Sequence, residues 1–118
     1  VTVTVAGSET VAISRADFIR SKLRWRVDGS DGVLAGQTVV ITYDNGILKD
    51  NTSATGIEIG RAVVNALGVW TLDLTLTSAS DVRNPSAGST VFKTAPTTIR
   101  ATSLLTPTAT ATRAITLK

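Results

Sequence analysis

The sequence predicts an all-β fold, a two-sheet β-sandwich of about seven strands. Three observations carry this. Apolar residues recur with a period of two along most of the chain, no long stretch keeps a helical period, and clusters of Gly, Asn, Asp, Ser and Pro separate the alternating runs. The 118 residues suit one domain. A chain of that length buries roughly two-thirds of its unfolded surface, enough for a core without staples.

The elements follow in order. Val1-Thr2-Val3-Thr4-Val5 alternates cleanly until Ala6-Gly7-Ser8. Residues 1–8 are read as an extra edge strand or the end of a preceding module, and the domain proper as 9–118. A second run begins near Thr10 and passes through Val11, Ile13, Ala16, Phe18 and Ile19; its phase changes around Arg15 and Asp17, which predicts a bulge. Leu23, Trp25 and Val27 share one face of the next strand and Lys22, Arg24, Arg26 and Asp28 the other. Gly29-Ser30-Asp31-Gly32 is expected to end it as a turn. Val39, Ile41 and Tyr43 point one way in the following strand, and 44–56 is a polar connection in which Ile47-Leu48 is expected to dock on the sheet edge.

Ile57 to Asn65 and Val69 to Thr77 read as a hairpin, with Gly68 supplying the left-handed residue of its turn. In the returning strand Trp70, Leu72, Leu74 and Leu76 alternate strictly with Thr71, Asp73, Thr75 and Thr77. Residues 78–89 form a loop, Thr90 to Lys93 a short strand, and Thr98 to Leu104 and Ala109 to Leu117 close the domain around Leu105-Thr106-Pro107-Thr108. Trp25, Trp70, Leu72 and Leu74 head the expected core.

Composition excludes much chemistry. Cys, His and Met are all absent, which removes disulfides, thiol and imidazole nucleophile arrangements, blue copper and nearly all structural zinc sites. No Gly-x-Ser-x-Gly, aspartic-protease or phosphate-cradling motif occurs, so no catalytic residue and no enzyme activity is expected. The net charge of +3 comes from scattered residues without interleaved aromatics, which argues against nucleic acid. No apolar run approaches the roughly 18 residues of a membrane span, so no insertion is expected. The chain starts at Val1 without a signal-like segment and reads as a piece of a longer polypeptide or a mature segment, so the missing signal says nothing about compartment.

Four short motifs, Trp25-Arg26-Val27-Asp28-Gly29, Gly36-Gln37-Thr38-Val39, Gly60-Arg61-Ala62-Val63-Val64 and Gly68-Val69-Trp70, together resemble the immunoglobulin-like or fibronectin-III-like modules repeated in bacterial surface and secreted proteins. The resemblance spans residues 9–77. It implies a structural spacer or adhesive module in a tandem array, outside the cell or in the periplasm. Its partners would be neighbouring modules of the same polypeptide, with a surface protein or polysaccharide beyond them. The inter-sheet cysteines of antibody domains are missing, so packing alone must join the sheets.

The remaining candidates each have an ordinary reading beside the functional one. Asp28, Asp31, Asp44 and Asp50 lie in loops whose oxygens suit calcium, the one cofactor this sequence admits, but Asp is also a common turn residue. Trp25 and Trp70 are in phase with core residues rather than placed as a sugar platform. Lys22, Arg24 and Arg26 form a basic strand face that Asp73 or Glu58 on a neighbouring strand would neutralise. A ligand-binding module for carbohydrate or calcium, using the 28–36 and 44–56 loops and Tyr43, is the alternative to a spacer. A viral or phage decoration domain is a third reading.

Overall fold

The computed structural model describes residues 9–32 and 35–118. The expected strand Val1 to Val5 lies outside them. The described residues hold no α-helix and form ten β-segments: β1 (Val11–Ile19), β2 (Arg24–Asp31), β3 (Thr38–Tyr43), β4 (Ile47–Leu48), β5 (Glu58–Val63), β6 (Val69–Thr75), β7 (Phe92–Thr94), β8 (Thr98–Ser103), β9 (Thr110–Ala114) and β10 (Thr116–Leu117). Two four-stranded sheets, ordered β10-β1-β2-β6 and β5-β3-β8-β9, pack as a sandwich, and β4 with β7 makes a separate ribbon.

The alternating pattern positions the core. Val27, Val39, Ile41, Ile59, Leu72 and Ile99 are all buried between the sheets. All five aromatic side chains of the chain are buried with them. Four form a chain of ring contacts: Phe18 meets Trp25 edge-on at 5.1 Å between centroids, Trp25 meets Tyr43 at 6.4 Å, and Tyr43 meets Phe92 edge-on at 6.1 Å. Such pairs add about 0.5–1.5 kcal/mol each beyond burial. Leu74 is only partly buried against this core.

The phase change in β1 is where its register with β2 shifts, between Ile13 and Arg15. Ser14 is the extra residue, and beyond it burial moves from Val11 and Ile13 to Ala16 and Phe18.

Three expectations need correction. The segments flanking Gly68 are not a hairpin, because β5 pairs with β3 and β6 pairs with β2, in different sheets. The turn between them still has the expected chemistry: Gly68 sits at φ +75 and the Asn65 carboxamide oxygen accepts from the backbone N–H of Leu67 and Val69 at 2.9 and 3.1 Å. A tight turn fixes the local path but not which sheet each arm joins. Gly29, Ser30 and Asp31 do not end the second strand either; β2 runs through Asp31 in register with both neighbours. Gly29 is needed because the Trp70 ring and the Ala12 carbonyl occupy the space a Cβ would take. Ile47-Leu48 pairs with β7 rather than with a main sheet.

The connectivity gives the sandwich two distinct ends. At the entry pole β1 begins beside the end of β2, with Gly32 N–H donating to the Thr10 carbonyl at 3.0 Å. At the exit pole the chain crosses from β9 to β10, which runs parallel to β1 with Asp17 opposite Thr116 and Phe18 opposite Leu117. The Lys118 N–H donates to the Phe18 carbonyl at 2.9 Å, and its carbonyl accepts from Arg20 N–H at 3.0 Å.

Candidate functional site

Four surfaces carry the polar side chains in which chemistry would reside. The first is the outer face of the β10-β1-β2-β6 sheet. Outward positions on adjacent strands oppose each other in register, Arg26 with Asp73 and Arg26 with Asp17. The Arg24 guanidinium grips Asp73 through two bonds of 2.8 and 2.6 Å. Arg15 bridges Asp17 at 3.0 Å and Asp28 at 3.2 Å, and Lys118 reaches Asp17 at 3.0 Å. The Arg24 hydrogen bonds hold the Asp73 carboxyl below its usual range. The basic face formed by Lys22, Arg24 and Arg26 is therefore largely a ladder of compensated charge. Glu58 takes no part in it: its carboxylate binds Arg61 at 3.0 Å on the other sheet.

The second surface is the exit pole and the loop that straps it. The Trp25 indole N–H donates to the Arg83 carbonyl at 2.7 Å and the Tyr43 hydroxyl to the Val82 carbonyl at 2.9 Å, so the loop is tied to the aromatic cluster. Arg83 in turn binds Asp81, at 3.0 Å through Nε and 2.7 Å through Nη2, which lowers the Asp81 carboxyl. Buried Asn84 orders the next turn, donating to the Ala79 carbonyl at 2.8 Å and accepting from Ser86 N–H at 2.9 Å. Burial pushes the Tyr43 phenol far above its ordinary pKa, so it stays a neutral donor.

Third is an open depression of about 540 Å³ lined by Leu48, Lys49, Asp50 and Val91, beside the β4-β7 ribbon. No aromatic ring lines it. Asp50 is occupied locally, accepting from the Thr52 hydroxyl and N–H and thereby held below its usual pKa.

The fourth is a polar layer at the entry pole. Glu9, Asp31 and Ser103 are 7%, 3% and 0% exposed. Glu9 precedes β1, and the other two end β2 and β8. Burial pushes the Glu9 carboxyl up; the neighbouring side chains of Asp31, Ser103 and Thr106 oppose this and prevail, for a net downward shift. Both Glu9 carboxylate oxygens are enclosed. The sequence reading passed over Glu9. The signal was its phase, since Glu9 falls in step with inward Val11 and Ile13, as Asp31 does with Trp25 and Val27 and Ser103 with Ile99 and Ala101.

The candidate calcium residues do not converge. Asp28 accepts from Thr71 at 2.8 Å and from Arg15, Asp31 belongs to the entry-pole layer, Asp44 binds Arg100 at 2.9 Å, and Asp50 caps its own turn. Asp28 and Asp31 lie on β2, whereas Asp44 follows β3 at the exit end and Asp50 follows β4. Among the described residues no three His, Cys, Asp or Glu side chains gather where they would hold a metal ion. Neither Trp offers a platform, with Trp25 and Trp70 at 0% and 1% exposure. No known protein family, characterised protein or solved structure matches the chain.

Proposed function

We propose that the chain is a non-catalytic structural module, a spacer of the bacterial immunoglobulin-like kind in a larger surface or secreted protein. The observation that carries this reading is the path of the backbone. The described chain begins β1 at one pole and ends with β10 at the other, and β10 runs parallel to β1. Nine residues of β1 at about 3.3 Å each separate the two ends by roughly 30 Å. Repeating such a unit lengthens a polypeptide by a fixed step. The parallel pairing also means that tension between the ends pulls β1 and β10 in opposite directions along their axes, so their hydrogen bonds share the load in shear rather than opening one at a time. Compensated outward charges and buried aromatics support the same reading.

Force spectroscopy through the two ends tests it. A spacer yields in one discrete unfolding event per chain above the baseline of polymer stretching; extension without a force peak overturns the reading. A second reading, ligand capture by the loops, draws on the depression at Leu48, Lys49, Asp50 and Val91. It requires calcium or a polysaccharide to raise the melting temperature by mass action, whereas the spacer reading requires no change.

A further inference from the structure

We propose that Glu9 and Asp31 act as one proton-sharing carboxyl pair, a clasp between the two sheets at the entry pole that a single proton closes and the loss of that proton opens. The inference does not depend on the spacer reading. Register brings the two side chains together. Val11 stands opposite Asp31 in the β1-β2 pair, and both are buried on its inner face. Glu9 lies two residues before Val11 in the same inward phase, and the strands stay joined there through Gly32 N–H donating to the Thr10 carbonyl at 3.0 Å. Glu9 is therefore the diagonal neighbour of Asp31, a spacing that long side chains span. The opposite sheet supplies Ser103 at the end of β8 and Thr106 in the turn that follows, where Thr106 N–H donates to the Ser103 hydroxyl at 3.0 Å. Both carboxyl oxygens of Glu9 and Oδ2 of Asp31 are shut off from solvent.

The cationic side chains are placed elsewhere. Seven of the twelve Lys and Arg residues bridge other carboxylates. Arg20 and Lys22 lie in the 3-10 turn after β1, at the exit pole, and Lys49 and Lys93 lie beside the β4-β7 ribbon. Arg113 on β9 donates to the Ile13 carbonyl at 3.4 Å. The inward positions of β3, β5, β6 and β8 beside this pole, Val39, Val64, Trp70 and Ala101, are uncharged, and residues 1–8 and 33–34 include no ionisable side chain. Two carboxyl groups enclosed together without a cation cannot both stay charged, so the pair keeps one proton at neutral pH. A hydrogen bond between carboxyls runs through that proton. Burial pushes Glu9 up, but its hydrogen bonds with Asp31, Ser103 and Thr106 outweigh this and leave it below its ordinary range. Glu9 is thus the ionised acceptor and Asp31 the donor. The single negative charge is met by hydroxyls of the opposite sheet, which ties the start of β1 to the turn after β8. In alkali the proton passes to solvent and leaves two like charges in one enclosed space, and their repulsion parts the pole.

The chain has neither His nor Cys, so between about pH 6 and 9 only the α-amino group ordinarily titrates. Carboxyl ¹³C NMR of the full chain, acetylated at its amino terminus, therefore reads the pair directly. The Glu9 carboxyl carbon is expected to titrate in acid, and that of Asp31 to keep its proton past neutral pH and release it in alkali. Across that alkaline step the melting temperature should fall by several degrees, and exchange of the Gly32 N–H should quicken beyond its intrinsic dependence on hydroxide. Asp31→Asn keeps a donor for Glu9 but has no proton to lose, so its melting temperature stays level through the same step. Should that variant fail to fold, Glu9→Gln removes the other charge and must give the same level profile, while the carbon titration of the unsubstituted chain decides by itself. Both carboxyl carbons titrating as ordinary acids overturns the proposal. An alkaline loss of stability that persists undiminished in Asp31→Asn overturns it as well.

Discussion

Gly29 faces Trp70 across the β2-β6 pair, and the indole lies where a side chain at 29 would stand. The Trp70 N–H is satisfied by the Ser30 carbonyl at 3.1 Å, which locks the ring against the glycine. Trp70→Ala empties this slot and is expected to cost about 3–5 kcal/mol in denaturant unfolding. Gly29→Ala overfills it, at about 2–3 kcal/mol or more. The double variant should cost less than the sum, because removing the ring relieves part of the clash, although the Ala12 carbonyl remains. Full additivity would disprove the coupling. Gly68 is constrained differently: it has φ +75, and an added Cβ would lie 3.1 Å from the Asp31 carbonyl oxygen. Gly68→Ala is therefore expected to lose about 1–3 kcal/mol, read from the midpoint shift at constant m-value.

Elements were legible where a period of two ran unbroken, and β6 is the clearest case, with Trp70 and Leu72 inward and Asp73 and Thr75 outward. The bulge in β1 was legible too, because an extra residue must flip the phase. Pairing partners were not. Nothing local distinguishes a turn that returns to the same sheet from one that crosses to the other, so β5 and β6 looked like a hairpin. Gly29 looked like punctuation because its need comes from a ring 41 residues away in sequence (70 minus 29). The entry-pole carboxyls hid for a related reason, since polar residues in an inward phase contradict the pattern used to find inward faces. The strap of residues 78–91 has no periodic signal; side-chain bonds within it and to two aromatic groups define it. Tyr43→Phe keeps the ring packing and leaves the Val82 carbonyl without its donor. It should lower stability by about 1 kcal/mol and raise hydrogen exchange within the strap more than in β3. Equal protection in both proteins would mean that the hydroxyl does not hold the loop.

Across the whole molecule, Glu9, Asp50, Asp73 and Asp81 are all held below their ordinary pKa in the folded state. A depressed carboxyl contributes stability above its unfolded pKa, about 3.9 for Asp and 4.3 for Glu, and loses it as pH falls through the folded value. Melting temperature should accordingly hold from pH 7 to 5 and drop below about 4, with Asp81→Asn reducing the acid-sensitive part. The other whole-molecule property is the closure of β10 on β1, which joins the two ends of the fold. Deleting Thr116 to Lys118 removes the donor to the Phe18 carbonyl, the acceptor for Arg20 N–H and the Lys118 ion pair with Asp17. The backbone bonds are worth about 0.5–1.5 kcal/mol each, whereas an exposed ion pair adds about 0–1 kcal/mol; Asp17 also keeps Arg15 at 3.0 Å. Lys118→Ala should thus change thermal stability little, and the deletion should cost about 1–3 kcal/mol and sharply lower the unfolding force. That difference follows from direction of loading: heat breaks the sandwich wherever it is weakest, but tension between the ends acts first on the pair that the deletion removes. If the deletion lowered thermal stability and left the unfolding force unchanged, the load would be borne by other strands and the shear geometry of β1 and β10 would not be what resists extension.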